Sequence, residues 1–372
     1  METKFGRWLK SRSFKAFFFI ILAASIAYSG LRIGNALEWG AGLWLYPQVF
    51  ILFFLLFLLL FSLFAGNGNA LMRGLKRIAS YFLCFLVYNT IGLLLLDLLA
   101  LLFGFQRKTR AWLIAAVALF TIFLVLYGSV HARRFKTVFY TIKWGCRNGK
   151  ARIVLLSDLH IGIFIGIPYL QRMVESVNMQ NPDLIVISGD LFDGYLPDDD
   201  ALYSIATVLR QLRPKYGVYA VSGNHDAFGT DPRFQHFMKE AGIHFLYNTS
   251  IVLPMWNIVG RAGIVDMPDV RIPLPDLLQN VDPQKPIIVL DHDPQGIREA
   301  VYCGVDLILC GHTHKGQFFP MTLLTKLANG SRYFYGCDTS GKTHSVISAG
   351  TGFFELPIRI GTNSEVVVID TE

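Results

Sequence analysis

Five short acid/His patterns are spread through the second half of the chain, and their residue types are those that bind divalent cations. In order they read Asp158-Leu159-His160, Gly189-Asp190-Leu191-Phe192-Asp193, Gly223-Asn224-His225-Asp226, Asp291-His292 and Gly311-His312-Thr313-His314. Carboxylate oxygen and imidazole nitrogen suit Mn²⁺, Fe²⁺, Zn²⁺ and Mg²⁺. Asp158 and His160 are two apart, as are His312 and His314. At a strand end alternate side chains share a face, so each pair can reach one ion. Asp190, Asn224 and His292 bring the inventory to seven ligands, enough for two ions, with Asp190 able to bridge them. Two cations about 3.5–4 Å apart acidify a water and clamp phosphoryl oxygens. Such an inventory suits a two-metal hydrolase.

The elements that position these residues are also readable. Each pattern follows a short apolar run, at 152–156, 184–188, 218–221, 287–290 and 307–310. Buried parallel strands have this near-continuous apolar character, and ligands in open α/β sheets collect beyond the strands' carboxyl ends. Helical spacing is expected over 168–179, 201–212 and 231–241, with Asp198, Asp199 and Asp200 as a solvated helix start and Pro232 in a first turn. Strands are expected around a turn at Pro254 and again near 345–348 and 365–369. Asp291 is expected to orient its neighbour His292, Asp226 to act as a cap or from behind the site, and His236 and His244 to be ordinary surface or core residues.

The five motifs in this order resemble the calcineurin-like metallophosphoesterases, whose pattern is D-x-H, GD-x-x-D, GNH-[DE], an isolated His and GH-x-H. The resemblance runs over roughly residues 150–372. It implies a four-layer α/β/β/α sandwich and a dinuclear site made by Asp158, His160, Asp190, Asn224, His292, His312 and His314, with Asp190 bridging. It implies Mn²⁺ as the first choice of cation, with Fe, Zn²⁺ and Mg²⁺ as alternatives. His225 resembles the family's catalytic histidine, which would serve the leaving oxygen, and Asp193 the aspartate that orients it. The stretch Ser348-Ala349-Gly350-Thr351-Gly352, followed by Leu356-Pro357-Ile358-Arg359, resembles the membrane-associated bacterial branch. That branch often has GHTHGGQ where this chain has GHTHKGQ. Lys315 would then contact a substrate phosphate or face solvent.

Composition divides the chain in two. It is 53% hydrophobic with a formal net charge of +7. Residues 1–150 hold eighteen Lys/Arg against only Glu2, Glu38 and Asp97, while the remainder has sixteen bases against twenty-four acids. A net acidic chemical half argues against nucleic acid as partner. The basic half contains four apolar stretches, at about 14–33, 43–65, 78–103 and 112–130, each about the 20 residues a bilayer needs. The first is longer than a signal-peptide core and is read as an uncleaved anchor. Residues 1–136 are thus expected to be a bundle of about four transmembrane helices and 150–372 the metallophosphoesterase domain. Between them, 137–149 would be a basic, aromatic connector lying along the headgroups, with a strand over 137–142 as the equal alternative. Lys/Arg flanking the spans favour a cytoplasmic catalytic domain on a bacterial inner membrane, although Arg107, Lys108 and Arg110 oppose it. Asp97 is read as an interfacial or paired charge within the bundle. The five cysteines show no metal or disulfide spacing, which suits a reducing compartment.

The expected function is a membrane-anchored phosphoesterase acting on a phosphorylated substrate at the bilayer. Candidates are lipid phosphates or lipid-linked nucleotide pyrophosphates, including the UDP-diacylglucosamine that relatives in the broad family cleave. Residues 318–327, apolar with Lys326, would dip into the interface or pack as a lid. Alternatives are a membrane sensor whose metallodomain binds a phosphorylated ligand, and a phosphodiesterase for soluble nucleotides. A transporter is disfavoured by four spans with a single internal charge.

Overall fold

A computed structural model describes residues 12–36, 51, 70–143, 150–226, 229–263 and 271–372. The chain divides into a helical unit ending at Val130, with which Glu355–Ile358 cluster, and an α/β unit comprising His131–Phe354 and Arg359–Glu372.

In the helical unit, α1 (Arg12–Ala36), α2 (Ala70–Phe103) and α3 (Arg107–Ala132) are described. Both α2 and α3 are long and apolar enough to cross a membrane. The third and fourth expected spans therefore fall on α2 and α3. Among the described residues there are two candidate spans rather than about four, and the second expected span, 43–65, lies outside the described residues. Leu94, Leu98, Leu101, Phe120, Phe123 and Leu126 are exposed, as lipid-facing positions would be. Leu22 and Ile26 of α1 pack with Ala79 and Leu86 of α2, and Ser29 meets Thr90 at 3.3 Å. Sequence number rises together along the two helices, so they run parallel. By contrast α2 and α3 form an antiparallel hairpin, with the Tyr81 and Ser129 hydroxyls 2.9 Å apart. Asp97 takes the paired reading: Tyr28 and Arg32 each donate to it at 2.5 Å, and Arg110 lies 3.3 Å away.

Among the described residues the α/β unit is built on two six-stranded mixed sheets. The first has the order β1 (Phe135–Ile142), β12 (Ser364–Thr371), β2 (Ala151–Leu156), β3 (Leu184–Ser188), β4 (Val218–Val221) and β5 (Ile243–Phe245). The second runs β10 (Gly336–Ser340), β11 (Thr343–Ile347), β9 (Leu307–Cys310), β8 (Ile287–Leu290), β7 (Asn257–Gly260) and β6 (Thr249–Val252). Alternation of side chains gives each sheet two apolar faces. Ile153, Leu155, Val186 and Val221 meet Trp256, Ile258, Leu290, Leu309 and Val346 between the sheets. The other face of the first sheet, with Val154, Leu156, Ile185 and Ile187, is covered by α4 (Ile167–Asn178), α5 (Asp199–Leu209) and α6 (Pro232–Glu240). The outer face of the second packs Val259, Val289 and Ile308 under α7 (Leu274–Leu277) and α8 (Ile297–Cys303). A last helix, α9 (Met321–Asn329), follows β9. Asp198 caps α5 by accepting the Ala201 N–H at 2.9 Å.

One expected boundary moves. Residues 135–142 are a strand pairing in parallel with β12 along their whole length, from Phe135 opposite Ser364 to Ile142 opposite Thr371. The first part of the expected 137–149 connector is thus sheet, because its apolar positions fill the flank of β12. The α/β unit begins at His131, and 144–149 lie outside the described residues.

Candidate metal centre

The strands β2, β3, β4, β8 and β9 end side by side, and each delivers ligand-type residues just past its last residue. The backbone there is bent into the left-handed region at Asp158 (φ 52°), His160 (45°), Asp190 (52°), His312 (73°) and His314 (48°). Asp and His tolerate this region better than most residues, and such conformations collect at functional sites at a cost of about 1–3 kcal/mol each. Loop-to-loop hydrogen bonds hold the bends: Asp158 N–H to Gly189 carbonyl at 3.0 Å, His160 N–H to Asp190 carbonyl at 3.0 Å, and Gly311 N–H to His292 carbonyl at 3.1 Å.

All seven expected ligands come together. Asp158, His160 and His314 form one buried group able to hold an ion, and Asp158, Asp190 and His292 another. The Nε2 atoms of His160 and His314 face each other at 3.1 Å, and His314 Nε2 lies 3.4 Å from Asp158 Oδ1. On the other side Asn224 Oδ1 lies 3.0 Å from His292 Nε2 and 2.7 Å from His312 Nδ1. Asp190 Oδ2 stands between the two groups, 3.6 Å from His160 Nε2 and 3.2 Å from His292 Nε2.

The donor set fits divalent cations. Burial holds His160 at about 3 and His314 well below the usual imidazole range, so both present neutral lone pairs. Burial pushes the Asp158 carboxyl up to about 6, since a charge there lacks water. His292 goes the other way: burial lowers it, but the Asp190 carboxylate outweighs burial and raises it to about 10. A cation at that point would take over the role of this proton. His292 Nδ1–H donates to the Ser188 carbonyl at 2.8 Å, which turns Nε2 towards Asp190 and Asn224, the usual way a ligand imidazole is fixed.

One expected partnership differs from the geometry. Asp291 does not orient His292; it is buried in ion pairs with Arg261 at 3.3 Å and with Arg271. Its side chain points away from the site because residues adjacent on an extended segment face opposite sides. Asp193 Oδ1 lies 3.7 Å from His160 Nδ1, at the edge of the cluster. His225 is beside the cluster, its ring 5.2 Å from that of His160 and its backbone N–H donating to Asp190 Oδ1 at 2.8 Å. Asp226 acts from behind the site: its carboxylate accepts the N–H groups of Leu191, Phe192 and Gly223, each at 3.0 Å. His244 stacks on Tyr219, outside the cluster.

Residues 151–316 match the family model for calcineurin-like phosphoesterases. The chain carries a calcineurin-like phosphoesterase domain. Its metallophosphoesterase relatives include a transmembrane protein with metallophosphoesterase domain from Danio rerio, 36% identical over 233 residues. The alignment covers 59% of this chain and 52% of that protein. An uncharacterized metallophosphoesterase of Helicobacter pylori is 32% identical over 226 residues, covering 59% of each. YkuE of Bacillus subtilis, also an uncharacterized metallophosphoesterase, is 28% identical over 224 residues, covering 58% of this chain and 77% of that one. The chain thus spans little more than half the length of the first two relatives.

Three features of the phosphoesterase domain carried no role in the sequence reading. Phe354 lies over the imidazoles, its ring 4.5 Å from His225 and 5.0 Å from His160. Gln317 grips the Phe354 backbone from both sides, accepting its N–H at 2.8 Å and donating to its carbonyl at 3.1 Å. Buried Arg359 donates to the carbonyls of Ala349 and Gly352, both at 2.6 Å, and of His314 at 3.2 Å. The motif positions of Gln317 and Arg359 were visible; the partners were not. Lys315 has φ 53°, which explains why glycine is common at this point of the motif, and its Nζ sits 3.9 Å above the Tyr335 ring.

Gly311 tests how tightly the ligands are packed. A Cβ there would stand 2.4 Å from Asp158 Oδ2 and 2.8 Å from Ser157 Cβ. Gly311→Ala is expected to push Asp158 out of line and to weaken Mn²⁺ binding about 10- to 100-fold, read by calorimetric titration. Unchanged affinity would show that Asp158 has room to move.

Proposed function

We propose that this protein is a membrane-anchored phosphoesterase that hydrolyses a phosphoric ester or pyrophosphate bond of a substrate presented at the bilayer, with lipid-linked phosphates as the first class to test. One cation would be held by Asp158, His160, Asp190 and His314, the other by Asp190, Asn224, His292 and His312. The observation that carries the reading is the position of Asp190 Oδ2 between the imidazoles of His160 and His292. Bound there, divalent cations, Mn²⁺ first among them, would supply a hydroxide nucleophile at neutral pH and Lewis-acid stabilisation of phosphoryl oxygens.

The chain's own residues have separate tasks. His225 would give a proton to the leaving oxygen, a contribution of about 10²–10⁴-fold. Its backbone is tied to Asp190, so the acid and the ligand it works beside keep one register. Phe354 walls one side of His225 and limits water there. Gln317→Ala removes the two hydrogen bonds that set Phe354. We expect it to lower turnover between about 10- and 100-fold through misplacement alone, with Mn²⁺ affinity unchanged by titration. An equal loss of metal binding would instead place Gln317 in the support of the cations.

Anchoring through several spans rests on α2 and α3, and on the Danio rerio relative being named a transmembrane protein. Arg73, Lys76 and Arg77 at the start of α2 and Arg133, Arg134 and Lys136 after α3 lie at the same end of the hairpin. That favours a cytoplasmic catalytic domain.

The test is hydrolysis of bis-p-nitrophenyl phosphate by the full chain in detergent, with Mn²⁺, with EDTA, and with His225→Ala. Metal-dependent turnover that falls in the variant supports the reading. A folded, Mn²⁺-binding protein without turnover on this diester or on lipid phosphates would remove it.

A further inference from the structure

We propose that α9 is an interfacial helix that lays its apolar face into the surface of an anionic bilayer and seats the metal centre there. The proposal rests on the membrane-anchored reading above and adds the surface by which the domain itself engages lipid.

Helix α9, MTLLTKLAN, is cleanly two-faced. At 100° per residue, Met321, Leu323, Leu324, Leu327 and Ala328 fall on one arc, and Thr322, Thr325, Lys326 and Asn329 on the other. In a globular protein the apolar arc faces the core. Here it does not: Leu323, Leu324 and Leu327 are 54, 38 and 70% exposed, as is Lys326, whereas Thr322, Thr325, Ala328 and Asn329 are each partly covered. No residue of the helix is buried. Phe319, just before it, is 50% exposed and extends the apolar surface. An outward-facing row of leucines costs solubility unless something apolar covers it.

Charge and attachment identify the cover as lipid. Between Asp306 and Asp338 the chain has no acid, while Lys315, Lys326 and Arg332 are basic, Arg332 being paired with Asp338 at 3.1 Å. Leucines beside Lys/Arg on a two-faced helix are the composition of interfacial segments, which anionic headgroups attract. The domain is also kept near a bilayer by its own covalent chain: α3 ends at Ala132 and β1 starts at Phe135. Nor is α9 a loose arm. Its first turn is pinned by the Thr322 N–H to the Phe318 carbonyl at 3.1 Å. Gly316 approaches so closely that a Cβ there would lie 2.5 Å from Thr322 Cα. Two residues before Gly316 is the ligand His314, so whatever α9 rests on is fixed relative to the metal centre.

The experiment uses the full chain in nanodiscs of phosphatidylcholine and phosphatidylglycerol, with an environment-sensitive fluorescent residue at position 327. Position 302 is the control, because Tyr302 is 87% exposed on α8. Docking predicts blue-shifted emission at 327 that is quenched when the lipids carry a doxyl group near the headgroup, with neither effect at 302. It also predicts that Leu323→Asp with Leu327→Asp abolishes this quenching in a chain bearing the fluorophore at 324, while metal-dependent bis-p-nitrophenyl phosphate turnover is retained. Water-like emission at 327 would overturn the proposal. So would blue-shifted emission that doxyl lipids do not quench, since the cover would then be protein, such as a second copy. The fluorescence does not depend on catalysis, so quenching without turnover would remove the phosphoesterase reading and leave the docking intact.

Discussion

Replacing Asp190 with Asn should abolish metal-dependent hydrolysis and also uncouple the protein's stability from metal. Asp190 offers one oxygen between the His160 and His292 imidazoles and the other to the His225 N–H. The amide removes the negative charge that two cations would share, and turnover should fall about 10³-fold or more, equivalent to about 4 kcal/mol in the barrier. The second readout is thermal. For the wild type, Mn²⁺ at about a hundred times its dissociation constant should add about 2.7 kcal/mol. Without metal the variant should itself be less stable than the wild type, because the His292 imidazolium loses the buried carboxylate that pairs with it at 3.2 Å. Mn²⁺ should then raise the wild-type melting temperature and leave that of Asp190→Asn nearly unmoved. An Asn variant that keeps both turnover and the Mn²⁺-dependent shift would show that Asp190 is not shared between cations.

The largest stability effect is expected away from the ligands, at Asp226. Its fully buried carboxylate accepts three backbone N–H groups from two loops, those of Leu191, Phe192 and Gly223. Alanine would leave all three donors without a partner in a dry site. Each buried unsatisfied donor costs about 1–3 kcal/mol, so Asp226→Ala should destabilise by about 4 kcal/mol, lowering the melting temperature of a domain this size by on the order of 10 °C. The same change frees the loops that carry Asp190 and Asn224, so metal affinity should fall with stability. Urea unfolding and Mn²⁺ titration of one preparation check both. A variant within about 1 kcal/mol of wild type would mean that other contacts hold the two loops.

How legible these features were in the sequence followed from how local their causes are. The strands ending at Leu156, Ser188, Val221, Leu290 and Cys310 match their apolar runs within a residue, since strands buried on both faces show little but apolar side chains. Ligands two apart on a strand end are likewise a local pattern. The segment at 135–142 is different: its FKTVFYTI suits a headgroup-lying connector as well as a strand, and only β12, more than 220 residues later, decides between them. Asp291 was misread for the same reason. Its adjacency to His292 suggested support, whereas its partners Arg261 and Arg271 come from another part of the chain. Gln317 and Arg359 stood inside recognisable motifs, yet the carbonyls they grip belong to a loop whose path only the assembled fold defines.

The left-handed backbone at five of the seven expected ligands has a consequence for how the protein would meet metal scarcity. A zinc finger acquires its shape when the ion arrives and collapses when a chelator removes it. Here the bends at Asp158, His160, Asp190, His312 and His314 are held by hydrogen bonds between loops, and their strain is met by the rest of the fold. A stripped protein should therefore persist as a ready receptacle. Cations would come and go as exchangeable guests, and the set of ions in use would follow supply in the cell rather than the conditions under which the chain first folded.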